Sequence, residues 1–188
     1  MADWTHLLGP LGKTLGAPEA VRAFEAREPG IDAEVRVAAD CLVIEGPGKQ
    51  SLLERFFHRG QSVRIYEVHD PVADSGLLLY RATLRTEGAN ARGSLEMRCC
   101  FPGRGEFFSK GAPIGQVVEG DSDWTDLEIP FLLRQGEIPN LVRLNVMVEG
   151  AGRVRVRDVE LLFAPLVAAG ELTPAAAPEG RGDEAAAT

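Results

Sequence analysis

The side chains best suited to binding a ligand are arginines, with glutamates and amides beside them, that alternate with apolar residues along the chain. Successive residues of a β-strand point to opposite faces, so this alternation predicts a polar outer face above a buried one. Guanidinium groups bind carboxylates through paired hydrogen bonds, which favours a ligand that carries acidic groups. The candidate ligand-binding residues are Arg64, Tyr66, Arg81, Arg85, Glu96, Arg98, Arg143 and Asn145.

The same residues are also compatible with a face that meets only solvent. Arg85, Arg98 and Glu96 can pair among themselves, and exposed ion pairs of this kind contribute about 0–1 kcal/mol each. Tyr66 is the only aromatic residue predicted to point outward nearby, so hydrogen bonds and charge pairing would hold a ligand more than stacking would. Both interpretations stay open from the sequence.

A second cluster of titratable residues suggests catalysis or metal binding only weakly. Glu67, His69, Asp70 and Asp74 lie in one segment, but a strand end followed by His-Asp-Pro is more typical of an exposed loop. The sequence places no nucleophile and no second histidine beside them. The segment 46–51 resembles a phosphate-binding loop but lacks its Gly-Lys-Ser/Thr order. We therefore predict that the protein is not an enzyme.

Composition limits the class of protein. The chain has 188 residues, a formal net charge of −8 and 45% hydrophobic residues, which fits one globular domain and disfavours nucleic-acid binding. Cys41, Cys99 and Cys100 have no CxxC spacing, and neighbouring strand residues are poorly placed to pair, so free thiols are expected. With no secretory signal at the N-terminus and no apolar stretch of membrane-spanning length, a cytoplasmic location is expected.

The spacing of apolar residues predicts the fold class. From about Asp40 onward, runs of period two end at Gly, Pro or Asn, which is typical of an all-β antiparallel sandwich. Residues 18–28 predict a short N-terminal helix, whereas 51–58 fit a helix or a buried strand equally well. The expected organisation is an N-terminal extension over 1–33, a sandwich domain over 34–165 and a disordered tail over 166–188.

The last predicted strand carries an irregularity. Apolar residues fall on even positions at Val154 and Val156 but on odd positions at Val159, Leu161 and Phe163. A phase slip of one residue predicts a β-bulge near residues 157–158, and bulges change the direction of side chains.

The stretch 80–162 resembles the jelly-roll carbohydrate-binding modules of the galactose-binding-like superfamily, especially the cellulose- and xylan-binding type. The matching segments are 79–87, 95–98, 122–125 and 158–161, in that order. The resemblance implies a jelly roll with a structural Trp124 at the sandwich edge. It also implies a calcium ion between Glu25 and Asp158, since oxygen ligands suit this cation. Alternatively, Asp158 satisfies a turn or pairs with a neighbouring arginine.

The resemblance implies a non-catalytic module whose oligosaccharide ligand lies on a polar, arginine-rich concave face. Modules of this family usually stack sugars on Trp or Tyr, and this sequence departs from that pattern, so an acidic oligosaccharide is the favoured ligand. The alternative is a cytoplasmic protein-interaction or assembly domain that binds a protein partner and no sugar. No nucleic-acid or membrane partner is expected.

Overall fold

The computed structural model describes residues 4–8, 13–25, 32–47 and 60–168, and these form two antiparallel β-sheets. The all-β class is therefore confirmed. Thr5–Leu8 and Ala112–Ile114 are short 3-10 turns, and no helix in the described part of the chain is long and apolar enough to cross a bilayer. The strands are β1 Lys13–Leu15, β2 Glu19–Phe24, β3 Val35–Ala38, β4 Cys41–Glu45, β5 Gln61–His69, β6 Gly76–Glu87, β7 Arg92–Phe101, β8 Gly105–Lys110, β9 Val117–Glu119, β10 Thr125–Leu133, β11 Leu141–Glu149 and β12 Arg153–Ala168.

The large sheet is organised around β12. Its central strands run in the order β10-β6-β12-β4-β3. One edge of β12 pairs with β6 over nearly all of its length. The other edge pairs in turn with β4, β2 and β1, so short strands from the first part of the chain share it.

The small sheet has the order β5-β11-β7-β8, with β9 also pairing with β7. The inward side chains of the two sheets meet in one apolar core, in which side chains such as Tyr80, Ile129, Met97 and Leu144 are completely buried. Burial of apolar surface between two sheets is the main stabilising contribution in a sandwich.

The predicted β-bulge in the last strand is confirmed. The pairing of β12 with β6 shifts register between Arg157 and Glu160, and Asp158 has a positive φ of 51°. The bulge lies where the partner on the other edge of β12 changes from β4 to β2. The shift returns Val159 and Leu161 to the core, which explains the change of phase in the sequence.

The predicted N-terminal helix over residues 18–28 is wrong in its described part. Glu19–Phe24 is strand β2, which pairs with β12. Its alanines and glutamate favour a helix, but the open edge of β12 offers hydrogen-bond partners and the core accepts Phe24, so tertiary structure overrides propensity. The ambiguous segment 51–58 and tail residues 169–188 lie outside the described residues, and Leu166 and Val167 belong to β12.

The N-terminal residues cover part of the outer face of the large sheet. Trp4 is only 9% exposed and packs with Leu77, Leu79 and Leu162 in a second apolar cluster. Its indole Nε1 donates a hydrogen bond of 2.7 Å to Oε1 of Glu128. A residue near the chain start thus closes an apolar patch that the sheet would otherwise expose to water.

We expect Trp4→Ala to lower the free energy of unfolding by about 3 kcal/mol, since it removes a large buried side chain and leaves its site empty. Urea unfolding measures the change. Leu7→Ala, on the same turn but 38% exposed, is the matched control and should have a much smaller effect. Equal effects of the two substitutions would show that the N-terminal turn does not stabilise the sheet.

Candidate functional site

The outer face of the small sheet collects polar side chains from four adjacent strands. Alternation in each strand sends apolar residues into the core and leaves their neighbours pointing outward. The strand register then aligns the outward residues in rows across β5, β11, β7 and β8. We call the two central rows the charged face. The first row is Arg64, Asn145, Glu96 and Lys110, and the second is Glu67, Arg143, Arg98 and Phe108.

Glu96 lies at the centre of the charged face and is only 1% exposed. Its Oε1 accepts hydrogen bonds from Ser62 Oγ at 2.7 Å, Arg98 Nε at 2.7 Å and Asn145 Nδ2 at 3.2 Å, and Lys110 Nζ lies 3.0 Å from Oε2. Burial alone would raise the pKa of Glu96, but the hydrogen bonds from Ser62, Arg98 and Lys110 outweigh it and hold the pKa below its ordinary value. Glu96 is therefore ionised at neutral pH.

Glu67 links two arginines of the charged face. Its Oε1 lies 2.8 Å from Arg64 Nη1 and 3.0 Å from Arg143 Nε. Burial works to raise the pKa of Glu67, but the hydrogen bonds from Arg143 and Arg64 lower it below the ordinary value. Arg64 also contacts Asp32 at 3.1 Å, and Arg143 contacts Glu106 at 3.1 Å. Each of these guanidinium groups is thus shared by two carboxylates.

The charges of this face balance once its ion-pair partners Asp32 and Glu106 are included. Arg98 completes the network through Glu96 at 2.7 Å and Glu106 at 3.6 Å. Donors and acceptors alternate over the surface, so the face has a strong local polarity but no excess of either charge. The cations are Arg64, Arg98, Lys110 and Arg143, and the carboxylates are Asp32, Glu67, Glu96 and Glu106.

Phe108 supplies an aromatic surface that was not among the predicted site residues. It is 63% exposed and lies opposite Arg98 at the end of the second row, and the Lys110 ammonium lies 4.9 Å from its ring centre. The adjacent Phe107 points to the other side of β8. Its ring packs edge-to-face against Phe101, with the two ring centres 5.8 Å apart. Strand β8 has no apolar–polar alternation, and the signal that marks it is the hairpin turn that ends β7.

Tyr66 does not point outward, and that prediction is wrong. It is 4% exposed, its ring stacks on Phe24 at 4.1 Å, and its hydroxyl donates to the Glu25 carbonyl at 3.2 Å. The register of β11 and β5 shifts between Leu144 and Asn145. As a result two residues separate the outward positions Arg64 and Glu67, and simple alternation assigns Tyr66 to the wrong face.

Arg81 and Arg85 do not join the charged face, so the prediction of a single arginine-rich face is wrong for them. Both lie on β6 and point outward from the large sheet, on the opposite side of the sandwich. Arg81 donates to Glu128 at 3.0 Å and lies 3.7 Å from Glu160. Alternation tells which residues of a strand share a face, but it does not tell which sheet the strand joins.

The predicted calcium ligands lie close in the fold. Phe24 pairs with Val159, so the register brings Glu25 and Asp158 to neighbouring positions. The Asp158 side chain is 70% exposed and lies 3.2 Å from Arg157 Nε, as the alternative of pairing with an arginine expected. Calcium takes six to eight oxygen ligands, whereas the described residues contain no group of three or more metal-ligating side chains. A calcium ion between Glu25 and Asp158 stays a prediction of the resemblance.

Trp124 lies at the edge of the large sheet and is partly exposed. The guanidinium carbon of Arg157 lies 4.3 Å from its ring centre. Cation–π contacts of this kind contribute about 0.5–2 kcal/mol. The contact agrees with the structural role expected for Trp124 and places it beside the bulge.

The acidic residues around His69 do not form one site, because Glu67 and Asp74 make separate local contacts. Glu67 is bound by two arginines, and the 73% exposed His69 lies 3.7 Å from its second oxygen. Asp74 accepts a hydrogen bond of 3.0 Å from the backbone of Gly136. Of the predicted free thiols, Cys99 is buried and Cys100 is partly exposed on the small sheet.

No protein-family model matches this sequence, and no curated protein matches it either. The solved structures that are similar include carbohydrate-binding modules. The CBM22-1 xylan-binding domain of Paenibacillus barcinonensis Xyn10C has a TM-score of 0.47 and 11% identity, over 81% of this chain and 99% of that one. TmCBM61 in complex with β-1,4-galactotriose has a TM-score of 0.38 and 14% identity, over 74% and 86% of the two chains.

The Clostridium thermocellum Xyn10B CBM22-1-GH10 modules, complexed with xylohexaose, have a TM-score of 0.44 and 10% identity over 78% of this chain. This chain spans 25% of that protein's length. The likeness of this chain to these solved structures has low TM-scores and low sequence identities. At these TM-scores and identities it carries no residue correspondence, so the arrangement of this chain's own side chains must indicate the function.

We expect Glu96→Gln to lower the free energy of unfolding at pH 7 by about 3 kcal/mol, because it leaves two cations without their buried carboxylate. The difference from the native protein should shrink below pH 4.5. A carboxylate with a lowered folded pKa stabilises the protein above its unfolded value of 4.5, and this contribution is lost as pH falls through the folded pKa.

Urea unfolding at pH 7 and at acid pH measures both effects. The control is Glu119→Gln, which removes a 62% exposed carboxylate 2.8 Å from Arg92 and should change the free energy by less than about 1 kcal/mol. A pH-independent effect of Glu96→Gln, or one no larger than the control, would contradict the role of Glu96 as the charged centre of the network.

Proposed function

We propose that this chain is a non-catalytic carbohydrate-binding module and that a neutral oligosaccharide lies along the charged face of the small sheet. The observation that carries the proposal is the second row, in which an exposed aromatic ring, Phe108, continues directly into Arg98, Arg143 and Glu67. Apolar surface and paired donors and acceptors thus follow one another along one line.

This combination matches the chemistry of a sugar ring. A pyranose has an apolar C–H face and a rim of hydroxyl groups, each of which both donates and accepts hydrogen bonds. An exposed aromatic ring suits the face, while guanidinium donors and carboxylate acceptors suit the rim. Arg98 lies opposite Phe108 on the neighbouring strand, and Glu106 lies two residues before Phe108 on β8, so the two together offer both kinds of partner.

The balance of charge favours a neutral ligand at this face. The arginines Arg64, Arg98 and Arg143 already have carboxylate partners at 2.7–3.1 Å. An acidic ligand would have to displace these carboxylates or lie close to them, which costs electrostatic energy. The preference for an acidic oligosaccharide, expected from the arginine content alone, therefore has no support at this face.

The electrostatics of the face also argue for binding without catalysis. Glycoside hydrolysis in most enzymes needs a carboxylic acid whose pKa is raised so that it can protonate the leaving group. On the charged face the pKa values of Glu67 and Glu96 are both shifted the other way, by hydrogen bonds from arginine and other donors. Both carboxylates are suited to accept hydrogen bonds and to orient the arginines.

We expect the native chain to bind xylohexaose or β-1,4-galactotriose, oligosaccharides seen with two of the similar structures, and Phe108→Ala to weaken that binding about tenfold. This is the size expected when a bound ring loses the aromatic side chain on which it stacks. Isothermal titration calorimetry with each neutral sugar measures the affinity.

Phe107→Ala is the matched control, because Phe107 is 45% exposed on the same strand but points to the other side. It should leave the affinity within about twofold, which corresponds to a fraction of a kcal/mol. Binding that is equally weakened by both substitutions, or no heat with any neutral sugar, would contradict the proposed function.

A further inference from the structure

Three arginines form a line on the outer face of the large sheet, on the side of the sandwich opposite the charged face. Arg36 of β3 pairs with Val43 of β4, Val43 pairs with Arg155 of β12, and Arg155 pairs with Arg85 of β6. The residues beside Arg155 and Arg85 are buried, so these two side chains point outward, and the pairing with Val43 places Arg36 on the same outer face. We call Arg36, Arg155 and Arg85 the arginine row. With strands about 4.8 Å apart, the row is about 14 Å long.

The arginine row differs from the charged face because its end members lack carboxylate partners. Arg155 is hydrogen-bonded to Glu87 at 2.7 Å, and that bond, with the charge of Arg155, lowers the pKa of Glu87 despite the opposing effect of burial. Neither Arg36 nor Arg85 is hydrogen-bonded or ion-paired to a described residue, although Glu87 lies close enough to feel the charge of Arg85. In a chain with a net charge of −8, two such arginines in one row make a local cationic site.

The neighbouring carboxylates are already engaged. Glu87 is shared with Arg153, whose guanidinium lies 3.7 Å from it and 3.6 Å from Glu45. The next row toward the bulge contains Thr83, whose hydroxyl donates to Asp126 at 2.7 Å. The described contacts thus leave the guanidinium groups of Arg36 and Arg85 available to an external anion.

An aromatic side chain lies at the end of this line. Thr125 pairs with Leu84 in the pairing of β10 with β6, so the same register continued by one residue brings Trp124 opposite Arg85. The Arg157 guanidinium lies 4.3 Å from the Trp124 ring centre, which shows that the indole shares this outer face. The partly exposed indole therefore borders the arginine row, as Phe108 borders the charged face.

We propose that the arginine row is a second binding site, specific for saccharides that carry carboxylates, such as a chain of uronic acids. Arginine binds a carboxylate through paired hydrogen bonds. A chain with one carboxylate on each ring reaches more than one arginine at once, while the indole beside Arg85 offers apolar surface to a ring. The choice of a sugar acid over an acidic peptide rests on the proposed function; the need for an anion rests on the arginines alone.

The experiment compares three probes by isothermal titration calorimetry at low and high salt: an oligogalacturonate, xylohexaose and poly-glutamate. The native chain should bind the oligogalacturonate, with an affinity that falls as salt rises because the attraction is between charges. In the double variant Arg36→Gln/Arg85→Gln the affinity should fall at least about tenfold, since two charge-assisted hydrogen-bonding groups are lost. Both side chains are at least partly exposed, so the melting temperature should change little.

Arg134→Gln is the control, because it removes the same charge from an exposed position after β10, and uronate affinity should stay within about twofold. The proposal is overturned if the native chain does not bind oligogalacturonate, or if the double variant binds it as the native chain does. Poly-glutamate that binds as tightly, through the same arginines, would overturn the choice of a saccharide. If the native chain binds oligogalacturonate through these arginines but does not bind xylohexaose, the proposed function is contradicted and the arginine row remains supported.

Discussion

Hydrogen bonding along both edges of β12 is the constraint on which the rest of the structure depends. One edge is occupied by β6, while β4, β2 and β1 share the other. The bulge at Asp158 lies where the partner on the shared edge changes from β4 to β2, and it alters the twist and phase of β12 there. The bulge returns Val159 to the core and leaves Arg155, before it, on the outer surface with Arg85.

The two outer faces of the sandwich differ in whether their arginines are paired with carboxylates. On the small sheet, the buried Glu96 carboxylate contacts a serine, an amide, an arginine and a lysine. Every arginine of the two rows is ion-paired with a carboxylate. Such a network holds its side chains in fixed positions, which suits recognition of several uncharged hydroxyl groups. On the large sheet, Arg36 and Arg85 are not neutralised by described carboxylates, which suits a charged ligand. The proposed difference in ligand follows from this difference in pairing.

The sequence predicted the fold class and most of the long strands because those strands alternate strictly between core and surface. It failed where strand pairing or packing with distant residues decided the local structure. Residues 19–24 have helical composition, but the free edge of β12 and the packing of Phe24 on Tyr66 make them a strand. Strand β8, with Phe107 beside Phe108, shows no alternation because it lies at an edge, where both faces reach solvent.

The candidate site was predicted only in part for a related reason. Arg64, Glu96, Arg98, Arg143 and Asn145 were expected on one face and do share it. The local period of two cannot report the pairing of strands that are distant in sequence, so Arg81 and Arg85 were placed on the wrong side. Nor can it report a shift of register, which turned Tyr66 inward. The carboxylate partners that neutralise the arginines come from several strands, and only the fold brings them together.

Chemical-shift mapping tests most directly whether the outer face of the small sheet binds a neutral oligosaccharide. Amide and side-chain spectra of the isotope-labelled chain would be recorded while xylohexaose is added. A sugar bound on this face should cause shifts that cluster on β7, β8 and β11, with the guanidinium signals of Arg98 and Arg143 and the ring of Phe108 among the largest. Shifts confined to the outer face of the large sheet, or no shifts at saturating sugar, would contradict it.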